Sequence, residues 1–244
     1  MVFDNINFTD EFGNEQKLEF NNYYCVDCME VLKLMPDKSI DLCIVDPPYG
    51  IGIDGQKESI CKNPKHNRKQ HDKKNWDNAI PDKKYFKELE RVSKNQIIWG
   101  GNYFVPHLDK GTKGWIVWDK GQHGLTMSDC ELAYSSFNIP TRVVIINRVE
   151  LLKDGTIHPT QKPVKLYEWI LRNYAKQGDK ILDTHVGSAS SLIACHNLGF
   201  QYVGFELDKE YYEQSLKRLE TAKKQVSILD VIEKQENTQI GMEE

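Results

Sequence analysis

The sequence predicts an α/β protein with a mostly parallel sheet and helices on both of its faces. One observation is the apolar run Ile40–Val45, which has the length and the abrupt proline-rich end of a buried strand. The other is a β-α-β unit late in the chain, in which strands at 180–183 and 201–206 flank a helical pattern. Because open parallel sheets bind ligands at the carboxyl ends of their strands, we expect the functional site at that edge.

The length and the composition are those of one globular domain. The 244 residues suit a single α/β domain with elaborated loops, which we predict over residues 1–224 with a basic loop inserted at about 51–80. Residues 225–244 are polar, and we expect them to form a frayed tail. No apolar run is long enough to predict a membrane span, and the polar, acidic stretch 1–15 does not predict a secretory signal.

The cysteines favour a cytoplasmic protein, whereas the net charge gives no signal for a nucleic-acid partner. The formal charge of −4 gives no general attraction to phosphates, so any basic surface must be local. Cys25 and Cys28 have the spacing of half a zinc or redox site, but no second pair follows at metal spacing, and we predict no metal site. The six cysteines follow no disulfide framework and predict reduced thiols: Cys25, Cys28, Cys43, Cys61, Cys130 and Cys195.

The remaining elements follow from capping residues and apolar spacing. A short strand at 23–26 precedes Asp27, whose carboxylate can cap the helix after it. One helix begins near Pro81 and Asp82, and another follows Pro163. Further strands are predicted at 96–99, 115–118, 131–136 and 142–147, and further helices through Leu192 and from Asp208.

The turn after Val45, Asp46-Pro47-Pro48-Tyr49, combines hydrogen-bond acceptors with an aromatic ring. Pro47 disfavours the helical conformation of Asp46, and both prolines lack a backbone donor but keep their carbonyl oxygens. The Asp46 carboxylate and the Pro47 carbonyl can therefore accept both hydrogens of an exocyclic amino group beside the ring of Tyr49. These four residues alone leave a second interpretation open, a proline-stiffened turn without a ligand.

A basic segment follows this turn. Between Lys57 and Lys74 it carries seven Lys and Arg residues against two acidic ones. Such a run is usually a solvated loop, whereas its position directly after the turn favours a flap that contacts phosphates. Within it we select Lys65, Arg68 and Lys69 as the candidate phosphate-binding residues.

The turn inside the β-α-β unit predicts a nucleoside site. It extends from Thr184 to Ser190 and has Gly187 as its only glycine, so it is a weaker signal than a full dinucleotide fingerprint. Glu206 ends the following strand, where an acidic side chain can bind ribose hydroxyl groups. In one parallel sheet, this turn and Asp46 would open at the same edge, next to each other.

With these motifs in this order, the chain resembles the β-group amino-methyltransferases of DNA. The resemblance covers roughly residues 20–220, because the motifs on which it rests are spread over that range. They are Asp46-Pro47-Pro48-Tyr49, His158-Pro159-Thr160-Gln161-Lys162-Pro163, the stretch from Asp183 to Ser188, and Glu206. In that family the first of these motifs precedes the cofactor motif. The resemblance therefore implies a Rossmann-like, circularly permuted fold that uses S-adenosylmethionine.

The resemblance also implies the roles of individual residues. Asp183 and the turn after it would face the methionine part of the cofactor, which Thr160 and Lys162 would close, while Glu206 would bind the ribose and Asp27 would lie near the adenine. The catalytic residues would be Asp46, Pro47, Pro48 and Tyr49. The cofactor-binding residues would be Asp27, Cys28, Asp46, Thr160, Lys162, Asp183, His185, Val186, Gly187, Ser188 and Glu206.

Two features depart from the family pattern. His185 and Ala189 stand where the family more often has an aromatic residue and a glycine, which leaves the geometry of the turn open. The span between Ser136 and His158 is short, where many relatives carry a long target-recognition segment. The sequence therefore does not predict which DNA site is recognised.

The reaction implied by the resemblance is methyl transfer to the N6 amino group of adenine in double-stranded DNA. An Asp at the position of Asp46 goes with adenine in this family, and a Ser usually goes with cytosine. Cytosine N4 methylation stays open as an alternative, as does a catalytically silent DNA-binding relative. Asp46 and the basic segment argue against an RNA base or a glutamine amide as the target. A homodimer and a cognate restriction nuclease are partners that the resemblance allows.

Overall fold

The computed structural model describes residues 3, 5–53, 74, 76–121, 123–124, 128–147 and 156–240, with the backbone alone for 226–240. The candidate phosphate-binding residues Lys65, Arg68 and Lys69 lie outside this part of the chain. A small hairpin, β1 (Asn7–Thr9) and β2 (Glu15–Lys17), precedes the main sheet. No helix among the described residues has the length and apolarity that a membrane crossing requires.

Eight strands form the central sheet, in the order β3-β10-β9-β4-β5-β7-β6-β8. They are β3 (Asn22–Cys25), β4 (Ile40–Val45), β5 (Ser93–Trp99), β6 (Ile116–Asp119), β7 (Cys130–Ser135), β8 (Arg142–Ile145), β9 (Lys180–Asp183) and β10 (Gln201–Glu206). The five strands from β3 to β5 are parallel, whereas β7 is antiparallel to both β5 and β6. The predicted mostly parallel sheet is confirmed.

Helices cover both faces of this sheet. They are α1 (Cys28–Leu32), α2 (Lys83–Val92), α3 (Gly101–Phe104), α4 (Val164–Tyr174), α5 (Ser190–Asn197) and α6 (Lys209–Ile240). Buried side chains of α1, α2 and α3 join one apolar cluster, and those of α4, α5 and α6 join a second. Strand β4 contributes to both clusters, because alternate side chains of a strand point to opposite faces: Leu42 and Ile44 join one, Cys43 and Val45 the other.

Side chains cap two of the helices as the sequence predicts. The carboxylate of Asp27 accepts a hydrogen bond of 2.8 Å from the backbone N–H of Met29 at the start of α1. Asp82 does the same for Lys84 in α2, also at 2.8 Å. Each cap satisfies one of the backbone donors that the first turn of a helix leaves unpaired.

The last helix is longer than the sequence analysis expects. The expectation of a frayed tail over 225–244 stays a prediction, and the backbone of helix α6 continues into that stretch as far as Ile240. The reason is local, because residues 209–240 contain neither Gly nor Pro and are rich in good helix formers such as Glu, Lys, Gln and Leu.

Gly204 in the middle of β10 allows α5 and the turn before it to pack closely on the sheet. A Cβ atom at this position would lie 2.7 Å from Leu192 Cδ1 and 2.8 Å from Val186 Cγ2. The absence of a side chain therefore sets the distance between the β-α-β turn and the strand that ends at Glu206.

We expect Gly204→Ala to destabilise the protein by about 1–3 kcal/mol, because the added methyl group overpacks the core. Denaturant unfolding measures the change. Gly111→Ala is the matched control, since a Cβ at Gly111 meets no atom within 4 Å and the backbone there is unstrained. Equal stability of the two variants would contradict the packing argument.

Candidate active site

A cavity of about 760 Å³ opens at the carboxyl edge of the sheet, where β4, β9 and β10 end. The four residues predicted to be catalytic line it: Asp46, Pro47, Pro48 and Tyr49. Most of the predicted cofactor-binding residues line it too: Asp27, Cys28, Asp46, Thr160, Lys162, His185, Val186, Gly187, Ser188 and Glu206. The two centres that the sequence analysis placed side by side thus share one cavity. Asp183 is the exception, since it is buried behind the turn.

Asp183 supports the turn after β9 from within the fold. One carboxylate oxygen accepts a hydrogen bond of 3.0 Å from the backbone N–H of His185, and the other accepts one of 2.5 Å from Ser191 Oγ. Burial raises the pKa of Asp183 to about 7, although both hydrogen bonds act in the opposite direction. The contacts of this carboxyl group hold the turn, and the group itself does not face the cavity.

The backbone of the turn is shaped by two residues in the left-handed conformation. Gly187 has φ +54° and Ala189 has φ +62°. For a residue with a side chain this conformation costs roughly 1–2 kcal/mol, and Ala189 tolerates it in a fully buried position. The backbone at Ala189 thus has the conformation that glycine favours. An alanine at this position therefore does not prevent the left-handed turn.

Glu206 is held by two backbone donors at the end of β10. Its carboxylate accepts 2.8 Å from the N–H of Gly187 and 3.0 Å from the N–H of Asp208. Burial raises the pKa of Glu206, and these two hydrogen bonds oppose that increase. Each carboxylate oxygen can accept more than one hydrogen bond. The Glu206 carboxylate can therefore still accept hydrogen bonds from two hydroxyl groups of a ligand in the cavity.

His185 is a neutral member of the cavity wall. Burial lowers the pKa of His185 to about 4, so the imidazole carries no charge at neutral pH. Its Nδ1 lies 2.9 Å from Thr184 Oγ1, which in turn shares a hydrogen bond of 2.6 Å with the hydroxyl of Tyr85. Tyr85, a buried residue of α2, thereby helps to orient the turn.

The carboxylate of Asp46 is fixed through both of its oxygens. Oδ1 accepts a hydrogen bond of 2.6 Å from the hydroxyl of Tyr49, and Oδ2 accepts one of 2.5 Å from Lys162 Nζ. Burial raises the pKa of Asp46, and the ammonium of Lys162 opposes this by stabilising the ionised form. Lys162, which the resemblance places at the methionine end of the cofactor, lines the cavity, and its ammonium also binds the Asp46 carboxylate.

Lys162 also contacts an acidic residue that the sequence analysis did not select. Its Nζ lies 3.1 Å from Glu131 Oε2, and Glu131 Oε1 lies 2.9 Å from Lys120 Nζ. Two carboxylates and two ammonium groups thus alternate from Asp46 to Lys120. Burial alone would raise the pKa of Glu131, but Lys162 and Lys120 lower it to about 2. In the sequence, Glu131 has no signal beyond its place at the start of a predicted strand.

The ring of Tyr49 packs in a slot made by Gly100. A Cβ atom at Gly100 would lie 2.2 Å from Tyr49 Cε1, and its φ of +70° also favours glycine. Tyr103 stacks on the Tyr49 ring with centroids 5.0 Å apart and an interplanar angle of 17°. The tyrosine of the predicted catalytic motif is therefore held in place by packing as well as by its hydroxyl group.

Asp77 anchors the chain that leaves the catalytic turn. Its carboxylate accepts hydrogen bonds from the N–H of Gly50 at 2.8 Å and from that of Ile53 at 2.9 Å. Asp77 is fully buried and its backbone carbonyl also accepts from Gly52 at 3.0 Å. This single side chain ties together the two ends of the segment that the sequence analysis regarded as an inserted loop.

At the mouth of the cavity, the last residue of the basic segment is paired with acidic groups. Lys74 Nζ lies 2.7 Å from Asp208 and 2.8 Å from Glu210, and 4.3 Å from the ring centre of Tyr211. The imidazole of His158 packs between the rings of Tyr211 and Trp76, with centroids 4.5 Å and 5.2 Å away. These contacts join the segment after the loop to the start of α6.

We expect Lys162→Met to destabilise the protein by about 3–5 kcal/mol at neutral pH, because two carboxylates lose the buried charge between them. This loss of stability should become smaller as the pH falls from 4.5 towards 2. The contacts that lower the pKa of Glu131 to about 2 stabilise the folded protein above that range, and they contribute nothing below it, where Glu131 is protonated. Denaturant unfolding at several pH values measures this. Lys94→Met, at an exposed pair with Asp41, is the control and should leave the stability close to that of the wild type.

Comparison with known proteins agrees with this geometry. A family model described as DNA methylase, N6_N4_Mtase, matches residues 116–217. The type II methyltransferase M.HpaI of Haemophilus parainfluenzae is 26% identical over 242 residues, which cover 81% of this chain and 73% of that protein. The DNA adenine methyltransferase YhdJ of Escherichia coli K12 is 27% identical over 258 residues, covering 86% and 85%.

The fold is shared with a solved methyltransferase. The crystal structure of the M1.HpyAVI-SAM complex superposes with a TM-score of 0.56 at 21% identity, covering 81% of this chain and 98% of that one. The family model covers residues 116–217, and the relatives cover most of the chain. Over these regions the chain is similar to DNA methyltransferases.

Proposed function

We propose that this enzyme transfers a methyl group from S-adenosylmethionine to the N6 amino group of adenine at specific sites in double-stranded DNA. One observation carries the proposal. The Asp46 carboxylate, held through both oxygens, opens into the same cavity as the oriented carboxylate of Glu206. A hydrogen-bond acceptor for an amino group and one for a ribose therefore line the same cavity.

The cavity fits the cofactor. Its volume of about 760 Å³ lies within the range of pockets for small ligands. The chemistry of its wall also fits, because Glu206 offers acceptors for a ribose diol while Val26, Val186 and Leu207 offer apolar surface for an adenine ring. When bound, S-adenosylmethionine supplies an electrophilic methyl group.

The residues of the catalytic turn would activate the target by orienting it. An exocyclic amino nitrogen on an aromatic ring is a weak nucleophile, because its lone pair is delocalised. Hydrogen bonds from this amino group to the Asp46 carboxylate and the Pro47 carbonyl would aim the lone pair into the cavity. Such alignment can supply about 7–11 kcal/mol of the rate enhancement. Asp46 is also the base that the site offers for the proton that the nitrogen later loses.

A base in duplex DNA must leave the helix to enter this cavity. Extrusion costs stacking energy, and an aromatic side chain beside the pocket can offset part of that cost. Tyr49 suits this role, because Tyr103, Gly100 and the hydroxyl contact with Asp46 hold its ring in one orientation before the base arrives. A preorganised ring loses little conformational entropy on binding.

Adenine is the favoured base because Asp46 begins the catalytic motif. The relative YhdJ, named as a DNA adenine methyltransferase, supports this choice. Cytosine N4 methylation is the second candidate, since the matched family includes both amino targets. A catalytically silent relative is disfavoured, because both the amine-binding turn and the Glu206 side of the cavity are intact.

The partners and the setting of the enzyme remain proposals. We assign Lys65, Arg68 and Lys69, in the basic loop outside the described residues, to contacts with DNA phosphates on the basis of their charge and position. A homodimer and a cognate restriction nuclease are further proposed partners, and the cytoplasm is the proposed compartment. The domain limits of 1–224 and the remaining site assignments are kept as predictions.

The function is tested by incubating the protein with unmethylated genomic DNA and S-adenosylmethionine. We expect nucleoside digestion and mass spectrometry to find N6-methyladenine, and sequencing of the modified bases to find it at one defined site. Asp46→Ala should abolish the transfer because the acceptor for the amino group is gone, while calorimetry should show that the variant still binds the cofactor. N4-methylcytosine as the only product, or transfer by Asp46→Ala at the wild-type rate, would overturn the proposal.

We expect Glu206→Gln to weaken cofactor binding by about 1.5–3 kcal/mol, because a charged acceptor is lost while the amide retains a contact to the backbone. Calorimetric titration of the free enzyme gives the dissociation constant. A melting curve must show that the turn around Gly187 stays folded. If the affinity for S-adenosylmethionine is unchanged in the folded variant, Glu206 is not the ribose ligand.

A further inference from the structure

Glu131 reaches the active site from a strand that runs opposite to its neighbours. Because β7 is antiparallel to β5, its first residues lie at the edge where the parallel strands end. The side chain of Glu131 is 24% exposed and does not line the cavity. Its two oxygens contact Lys162 and Lys120, so any influence on the reaction must pass through these lysines.

The ammonium group of Lys162 is surrounded by acceptors. It has three donors, and its neighbours are Asp46 Oδ2 at 2.5 Å, Glu131 Oε2 at 3.1 Å and Tyr49 Oη at 3.2 Å. The side chain of Lys162 is only 2% exposed, so water does not compete for these contacts. The positive charge is therefore divided between two carboxylates.

We propose that Glu131 is a positioning residue for methyl transfer, which holds Lys162 and thereby keeps the Asp46 carboxylate available to the target amino group. The proposal rests on the proposed function, because it assigns the amino group to Asp46. Glu131 shares the charge of Lys162, and this leaves Asp46 a stronger acceptor than it would be in an exclusive ion pair. It also gives the ammonium a second carboxylate neighbour, at 3.1 Å, which helps to keep the ion pair with Asp46 in one orientation.

The charged neighbours determine how the rate should depend on pH. Asp46 faces Lys162 and the hydroxyl of Tyr49, and it also senses Glu131, whose negative charge raises the pKa of Asp46. Glu131 itself faces Lys162 and Lys120. Tyr167 and Asp183 are the other titratable groups coupled to Asp46. The transfer needs Asp46 ionised, so the rate should rise with pH through the pKa of Asp46.

The test is Glu131→Gln, assayed with saturating DNA and S-adenosylmethionine over a range of pH. We expect kcat to fall by about 10- to 100-fold, as for a small misplacement of a catalytic group, with little change in the KM for DNA. We also expect the acid limb of the kcat profile to move to lower pH, because the charge that raises the pKa of Asp46 is gone. A structural defect alone would lower the rate without moving this limb.

A second variant covers the case in which Glu131→Gln unfolds because a buried positive charge is left unbalanced. The double variant Lys120→Gln, Glu131→Gln keeps the buried cluster neutral, and we expect the same direction of the pH shift. Glu90→Gln, which breaks the exposed pair with Lys110, is the matched control and should behave as the wild type.

A folded variant lacking Glu131 with wild-type kcat and an unmoved acid limb would overturn this inference. That outcome is distinct from failure of the proposed function, in which the wild-type enzyme itself would not methylate adenine.

Discussion

The candidate active site depends on the ion pairs of the buried Lys162 ammonium group. This group lies between the carboxylates of Asp46 and Glu131, and Lys120 neutralises the outer side of Glu131. A buried carboxylate without such a partner would take up a proton, and Asp46 could then no longer accept from an amino group. Burial removes these charged groups from water, which costs free energy. The alternation of positive and negative groups offsets that cost. Each charge also restricts the orientation of its neighbour, so the same contacts that offset the desolvation cost hold the Asp46 carboxylate in place.

The sheet brings these charges together from distant parts of the chain. Asp46 follows β4, Lys120 follows β6, and Glu131 is the second residue of the antiparallel strand β7. All three lie at the same edge of the sheet because β4 and β6 end where β7 begins. Lys162 reaches this edge from the loop before α4. One sheet direction, with a single reversed strand, therefore assembles four charged residues that are up to 116 positions apart.

Rigid support is a common feature of the two halves of the cavity. On the cofactor side, Asp183 holds the turn from behind and Gly187 orients Glu206. On the target side, Gly100 and Tyr103 hold the ring of Tyr49, while Asp77 holds the chain after Gly50. These contacts are made within the protein itself, so the entropy lost in ordering these groups is part of folding rather than of catalysis.

The sequence by itself determined the α/β class and most of the elements of the main sheet, and it predicted the two halves of the site. Strand β4, the cap at Asp27 and the acid at Glu206 follow from local chemistry: apolar runs, a capping oxygen and a small-residue turn are visible in a few neighbouring residues. The tertiary structure alone decided that Lys162 binds Asp46, that Glu131 is its second partner and that Asp183 lies behind the turn. It also decided that Gly100 and Asp77 support the catalytic turn. These contacts depend on the order of the strands in the sheet. The residues next to a charged side chain or a glycine in the sequence do not indicate which distant residue it will contact after folding.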